Sequence, residues 1–180
     1  TRFGRVISSH RIIEGRTIEL AKVKNVKRAV EGATINDAVL TICGGALRKY
    51  LLSKKELPDH SLVAMAPISV RSNGDSGQEG NSVAAMTVAL GTDIEDPIER
   101  LESVHIAAIS SKEMTNAVGA KLMTDFGQFI PSTTAALASR LYSEVSMAEQ
   151  ITHPYNCVVS NVPGPQFPLY SAGARLVTQY

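Results

Sequence analysis

The sequence has almost no excess of charge of either sign, since 18 Lys and Arg against 17 Asp and Glu give a formal net charge of +1. Without a basic surplus there is no electrostatic footprint for a nucleic acid, and none is expected as a partner. Long hydrophobic runs are also missing. None approaches the roughly 20 residues that a bilayer-spanning helix needs, and the N-terminus has no apolar secretory core, so stable membrane insertion is not expected. Cysteine is scarce: Cys43 lies in a helical apolar pattern and Cys157 in a strand, without metal-ligand spacing. Both read as buried thiols of a reducing compartment, the cytosol by default, and neither a metal nor a cofactor is implied. Gly44-Gly45 falls inside a helical pattern and cannot cradle a phosphate. Ser160 lacks a Gly-x-Ser-x-Gly elbow, and neither cysteine has a cation or histidine beside it to activate it. The chain carries no self-contained catalytic apparatus.

What is present is one good core's worth of apolar residues, 44% of 180, arranged as alternating helix and strand signals. Arg11 to Leu20 alternates weakly, as a strand or an incoming crossover. Lys22 to Glu31 spaces Val23, Val26 and Val30 at helical intervals, with Gly32 as a stop. Thr34 and Asp37 resemble a capping box for a second helix, whose apolar stripe is Val39, Leu40, Cys43, Ala46, Leu47, Tyr50 and Leu51. Arg48, Lys49, Lys54 and Lys55 suit its C-terminal end. Leu62 to Val70 and Ser82 to Leu90 read as two buried strands joined by the polar, glycine-rich loop Arg71 to Gly80. Asp96-Pro97-Ile98-Glu99 is a helix start, with Leu101, Val104, Ala108 and Ile109 as its buried face. Short helices are expected over Ala117 to Phe129 and Pro131 to Val145. The fold class is α/β (α+β), with a mixed β-sheet flanked by helices.

The segment Pro154-Tyr155-Asn156-Cys157-Val158-Val159-Ser160-Asn161-Val162-Pro163-Gly164-Pro165 is the most site-like. Its apolar run suits a strand buried on both faces, and the prolines around Gly164 fix the backbone where that strand stops. Ser160 and Asn161 at the strand end can donate to a ligand or tie down the turn.

Together with Ala33-Thr34-Ile35-Asn36-Asp37-Ala38-Val39-Leu40, Val63-Ala64-Met65-Ala66-Pro67-Ile68-Ser69-Val70-Arg71 and Gly80-Asn81, this segment closely resembles the C-terminal domain of bacterial wax ester synthase/diacylglycerol acyltransferases (WS/DGAT), within the CoA-dependent acyltransferase superfamily. The resemblance runs from Thr17 to Tyr180, with residues 1–16 as an incoming linker. It implies a chloramphenicol-acetyltransferase-like half domain. In that family the general base is the second histidine of a His-His-x-x-x-Asp-Gly motif in the N-terminal domain. His10, His60, His105 and His153 are isolated, so the chain is expected to be half of an enzyme, truncated at both ends relative to a full-length synthase, with no catalytic residue of its own.

The resemblance implies acyl transfer from acyl-CoA, a substrate rather than a cofactor, to a fatty alcohol or diacylglycerol. It implies partnership with the N-terminal His-His-x-x-x-Asp-Gly domain, and peripheral contact of a cytoplasmic protein with the inner membrane or lipid droplets. A noncatalytic lipid-binding domain of the same fold is the alternative, and transfer to a carrier-bound acceptor a third reading. An amphipathic surface helix between Lys121 and Tyr142 is a further possibility.

The candidate substrate-positioning residues are Asn36, Arg71, Asn81, Ser160 and Asn161, with Asp37, Pro163 and Gly164 as structural support. Asn36 in a first helical turn either faces a ligand at the positive end of the dipole or supports the cap. Asp37 reads as the capping acid. Arg71 at a strand end either pairs with an acid or reaches CoA phosphates. Asn81 positions a strand entry or a ligand. His105, midway along an amphipathic helix, reads as a satisfied core or boundary residue, and His153 has no visible partner.

Overall fold

A computed structural model of the chain describes Phe3 and residues 10–69, 83–118, 154–164 and 167–177. It is a mixed α/β structure. The elements in chain order are α1 (Leu20–Lys27), α2 (Ile35–Lys54), β1 (Val63–Ser69), β2 (Val83–Ala89), α3 (Pro97–Val118), β3 (Cys157–Val158), β4 (Tyr170–Ser171) and β5 (Ala174–Arg175). The main sheet has the order β2-β1-β3. β1 and β2 are antiparallel, from Val63 opposite Ala89 to Ser69 opposite Val83, while β3 runs parallel to β1 with Ala64 opposite Cys157. The sheet is therefore mixed, as the alternation of signals implies. β4 and β5 form a separate hairpin, turned at Ala172 (φ 49°) and Gly173 (φ 82°), both in the left-handed region that tight hairpins use.

Side chains alternate along a strand, so Ala64, Ala66, Met86 and Val88 share one face of the sheet. That face carries the core, closed by Leu40 of α2, Val104 and Ala108 of α3, and Leu90 just after β2. On the other face Pro67, Ala85, Thr87 and Val158 are exposed. The strands are thus buried on one face among the described residues, not on both. The reason is local to the fold, since α2 and α3 both contribute to the same core cluster. β3 is shorter and more exposed than a strand buried on both faces: regular pairing covers only Cys157 and Val158, and Val158 is 54% exposed.

Two glycines explain how α2 lies against its neighbours. A Cβ at Gly44 would stand 2.1 Å from the Leu90 carbonyl oxygen, and one at Gly45 would stand 2.7 Å from an Arg100 guanidinium nitrogen. At Gly44 only hydrogen fits against the backbone, while at Gly45 a larger residue would have to displace the end of the Arg100 side chain. The buried face of α2 is accordingly Asp37, Ala38, Leu40, Thr41, Gly44 and Leu51, whereas Ala46 and Tyr50, expected in the stripe, are exposed. On α3, Arg100 is buried and Ile109 is 46% exposed, which reverses the expectation for that position. Arg100 earns its burial by closing the loop between β2 and α3: Nε donates to the carbonyls of Gly91 (3.2 Å) and Ile94 (3.1 Å), and Nη2 to Ile94 (2.7 Å) and Glu95 (2.9 Å). Arg48 reaches the same loop through the carbonyls of Thr92 and Asp93 instead of its own helix end. Burial first, and then the Arg48 guanidinium, pulls the Arg100 pKa below its ordinary value, with Asp96 opposing them.

The helix starts follow their local signals. Asp96 Oδ1 accepts from the N–H groups of Ile98 (2.8 Å) and Glu99 (3.0 Å) at the head of α3. The start of the chain holds less regular structure than its pattern implies. Residues 10–19 are exposed and form no strand, and α1 begins at Leu20 and ends at Lys27, before Gly32. Arg28 and Ala29 donate to carbonyls three residues back, which tightens the helix to a close. Val23 is the buried residue of α1, too little apolar surface to extend it further. The helices expected over Ala117 to Phe129 and Pro131 to Val145 and the surface helix over Lys121 to Tyr142 lie outside the described residues, except that Ala117 and Val118 close α3.

Candidate functional site

The head of α2 is built by its own sequence. Thr34 is the N-cap, with extended backbone (φ −100°, ψ 169°). Its hydroxyl accepts from the Asp37 N–H at 3.2 Å, and the Asp37 carboxylate accepts from the Thr34 N–H at 2.8 Å, a reciprocal capping box. Aspartate is one methylene shorter than the usual glutamate, yet it closes the box. The carboxylate is almost fully buried, and the same Oδ2 meets His105 Nδ1 of α3 at 2.8 Å. His105 is thus a satisfied boundary residue, and Asp37 is its partner. Gly32, at φ +79°, lies against the ring: a Cβ there would stand 3.3 Å from His105 Nε2.

Asn36 stands between these contacts and takes no part in them. It is half-buried, and its side chain makes no hydrogen bond among the described residues. The cap is complete without it. Its amide, with both donor and acceptor atoms, remains available in the first turn, where the helix dipole favours negative charge.

The other described candidates stand at the end of β3. Asn156 fixes that strand to β1 twice over, its side-chain Oδ1 accepting from the Val63 N–H at 2.8 Å and its own N–H donating to the Val63 carbonyl at 2.7 Å. Pairing ends with the Val159 N–H on the Met65 carbonyl, 3.0 Å. Ser160 and Asn161 follow at once, both exposed. They are free of side-chain hydrogen bonds among the described residues, so they do not tie down the turn there. Pro163 and Gly164 are exposed as well. Gly164 does not occupy the left-handed region, and a Cβ on it would meet nothing within 4 Å among the described residues. Leu40, one turn beyond Asn36, is part of the core cluster, and Val159, immediately before Ser160, packs against it, which is how the two ends are held in one unit. Arg71, Asn81 and His153 lie outside the described residues.

Three residues that matter here gave little sign of it in sequence. Asn156 was legible only as part of its segment. Arg100 lies in a helix whose charged residues otherwise point outward. Thr92 is fully buried, and its Oγ1 accepts from the Leu62 N–H at 2.8 Å, locking the entry to β1 onto the exit from β2. Such non-local bonds leave no local signal.

Chemically this arrangement can bind and orient, and among the described residues it contains no activated nucleophile. Burial pushes the thiols of Cys43 and Cys157 up, away from the reactive thiolate, and Cys43 adds to the rise at Cys157. No three His, Cys, Asp or Glu side chains converge on a metal position among the described residues.

Comparison with known proteins gives a consistent result. Residues 79–180 match the model of the WS/DGAT C-terminal domain. A relative from Mycobacterium tuberculosis, named as a probable diacylglycerol O-acyltransferase, is 37% identical over 164 residues, which cover 89% of this chain and 34% of the relative. An O-acyltransferase of Acinetobacter baylyi is 33% identical over 174 residues, 97% of this chain and 36% of that protein. Among solved structures, the wax ester synthase/diacylglycerol acyltransferase from Marinobacter aquaeolei VT8 is similar with a TM-score of 0.61 at 28% identity, over 88% of this chain and 33% of that one. The chain spans about a third of the length of the curated relatives it matches.

Proposed function

Because the chain belongs to the family of WS/DGAT C-terminal domains, we propose that it is one domain of an O-acyltransferase moving a long-chain acyl group from acyl-CoA to a fatty alcohol or diacylglycerol. The products are wax ester or triacylglycerol. The family match over residues 79–180 carries this reading, supported by relatives that are named O-acyltransferases.

The chemistry divides between two domains. A histidine of the N-terminal domain takes the proton from the acceptor hydroxyl, the alcohol oxygen attacks the thioester carbonyl carbon, and the carbon–sulfur bond breaks. CoA leaves as the thiol, carrying the proton. This domain supplies one wall of the site. Asn36, Ser160 and Asn161 offer the substrates amide and hydroxyl groups that have no side-chain partner among the described residues, while Arg71 meets CoA phosphates and Asn81 assists at its strand entry. Positioning of this kind contributes several kcal/mol, up to about 11 at its most effective. No cofactor or metal takes part. The protein reaches its lipid substrates by peripheral contact with the inner membrane or lipid droplets. Among the described residues no helix is long and apolar enough to cross a membrane.

The test is release of free CoA from palmitoyl-CoA with hexadecanol, by this chain alone and together with the upstream part of its gene product. Activity in the combination alone is expected. Folded protein that binds acyl-CoA but releases none in either form would replace this reading with a lipid-binding domain.

A further inference from the structure

We propose that His105 is a positioning residue for acyl transfer, clamping the buried Asp37 carboxylate from α3 and thereby fixing the turn of α2 that presents Asn36. The inference rests on the acyltransferase reading above.

A capping box needs two residues, and Thr34 and Asp37 already complete it. The bond from His105, 68 residues away, is additional. It has a physical cause, because Asp37 is only 3% exposed and a carboxylate taken from water must find donors. The Thr34 N–H and His105 Nδ1, each 2.8 Å from Oδ2, are those donors. An ionised carboxylate can only accept, so the proton of the pair belongs on Nδ1, and Nε2 is the ring atom turned toward Gly32. The turn before α2, the cap of α2 and the middle of α3 thus meet at one imidazole.

Asn36 is bonded to Asp37 through the backbone and has no side-chain anchor among the described residues. Its position is therefore set by the turn around it, and that turn is tied to the rest of the domain through His105. A displacement of about 1 Å in a substrate-positioning group is enough to cost roughly 10²-fold in rate. His105 Nε2 has no hydroxyl or thiol partner among the described residues, which fits a role in holding rather than in proton transfer.

The experiment uses the full-length protein, with the upstream part of its gene product, and three forms at position 105. Asparagine places its Nδ2 donor where Nδ1 stands and keeps the bond. Glutamine places its donor one bond further out, where Nε2 stands, and loses it. We expect His105→Gln to lower kcat for CoA release by about 10- to 100-fold with KM for palmitoyl-CoA changed less than threefold, and His105→Asn to stay within about threefold of wild type. Amide exchange at Asp37 and Ala38 should quicken about tenfold in His105→Gln alone. Leu51→Val, in the core away from the cap, supplies a matched loss of melting temperature that should leave kcat within about twofold. A kcat loss that simply follows melting temperature, or equal losses in the asparagine and glutamine variants, would overturn the proposal. Should wild type release no CoA at all, the acyltransferase reading fails, and with it the positioning role of His105; unchanged exchange in the glutamine variant would remove the clamp as well.

Discussion

Replacing Gly44 with alanine separates intrinsic helix propensity from tertiary packing, which here pull in opposite directions. Propensity alone stabilises α2 by about 1 kcal/mol, since glycine is among the poorest residues for a helix interior. Packing opposes this. The new methyl would stand 2.1 Å from the Leu90 carbonyl oxygen, 3.1 Å from its carbon and 3.3 Å from its Cβ. An ordinary carbon–oxygen contact needs about 1 Å more than that shortest separation. The obstacle is backbone, and it cannot swing aside: Leu90 is fully buried and its N–H is held by the Leu62 carbonyl at 2.9 Å. α2 must move instead, opening contacts between Leu40 and the sheet. Overpacking of this kind costs typically 1–3 kcal/mol, and a rigid backbone obstacle belongs at or beyond the upper end, so the net loss expected is about 2 kcal/mol. For a chain of this size that lowers the melting temperature by about 4–8 °C. Thermal unfolding followed by far-ultraviolet circular dichroism reads it directly. Gly164→Ala is the control, because a methyl there meets nothing within 4 Å among the described residues and should be neutral or stabilising by up to about 1 kcal/mol. A Gly44→Ala melting temperature at or above wild type would refute the close approach of α2 to Leu90.

Thr92→Val keeps the shape of a fully buried side chain but strands the Leu62 N–H, and should cost about 1–3 kcal/mol by urea denaturation; a loss below 0.5 kcal/mol on that scale would mean the amide finds another partner. Thr34→Ala removes the acceptor for the Asp37 N–H while leaving the Asp37–His105 bond, and should cost about 1 kcal/mol in the same assay, with faster exchange confined to the head of α2. The raised thiols of Cys43 and Cys157 should react with iodoacetamide more slowly in native protein than in denaturant at pH 8. Their linkage has a definite sign: because the folded state holds these protons more tightly, the stability they contribute is complete below about pH 8.5 and is lost as pH rises through the elevated folded values. Urea midpoints between pH 7 and 10 should therefore fall more steeply for wild type than for the Cys43→Ala/Cys157→Ala double variant.

Features written in a few consecutive residues were legible. The Thr34–Asp37 box, the Asp96-Pro97 start of α3 and the strands around Ala64 and Met86 each follow from signals within one turn or one pleat. Features set by what lies opposite were not. Tyr50 and Ala46 look like core on a hydrophobicity scale, while Thr41 and Gly44 do not, yet α2 buries the latter pair because its closest neighbour is a carbonyl that only a glycine can approach. The same blindness hid Arg100, whose burial is understood only once the loop carbonyls it closes are in place. In the candidate site, the cap was readable from Thr34 and Asp37, but the identity of the third member, His105, was not, because its partner lies on another helix.

These contacts also bear on why an amide such as Asn36, without a side-chain partner among the described residues, can sit there without loss of order. α2 is fixed at two separated places by different physics. Its middle is held by shape, with Gly44 against Leu90 and Gly45 against Arg100. Its head is held by directed bonds, Thr34 to Asp37 and Asp37 to His105. Either anchor alone would leave the first turn able to pivot about the other. With both in place the backbone at Asn36 is defined while its side chain has no partner among the described residues, which is what the proposed substrate-orienting role requires: a fixed origin and a hydrogen-bonding end. Ser160 and Asn161 follow the same logic, standing just past the point where Asn156 and Val159 have already bound their segment to β1.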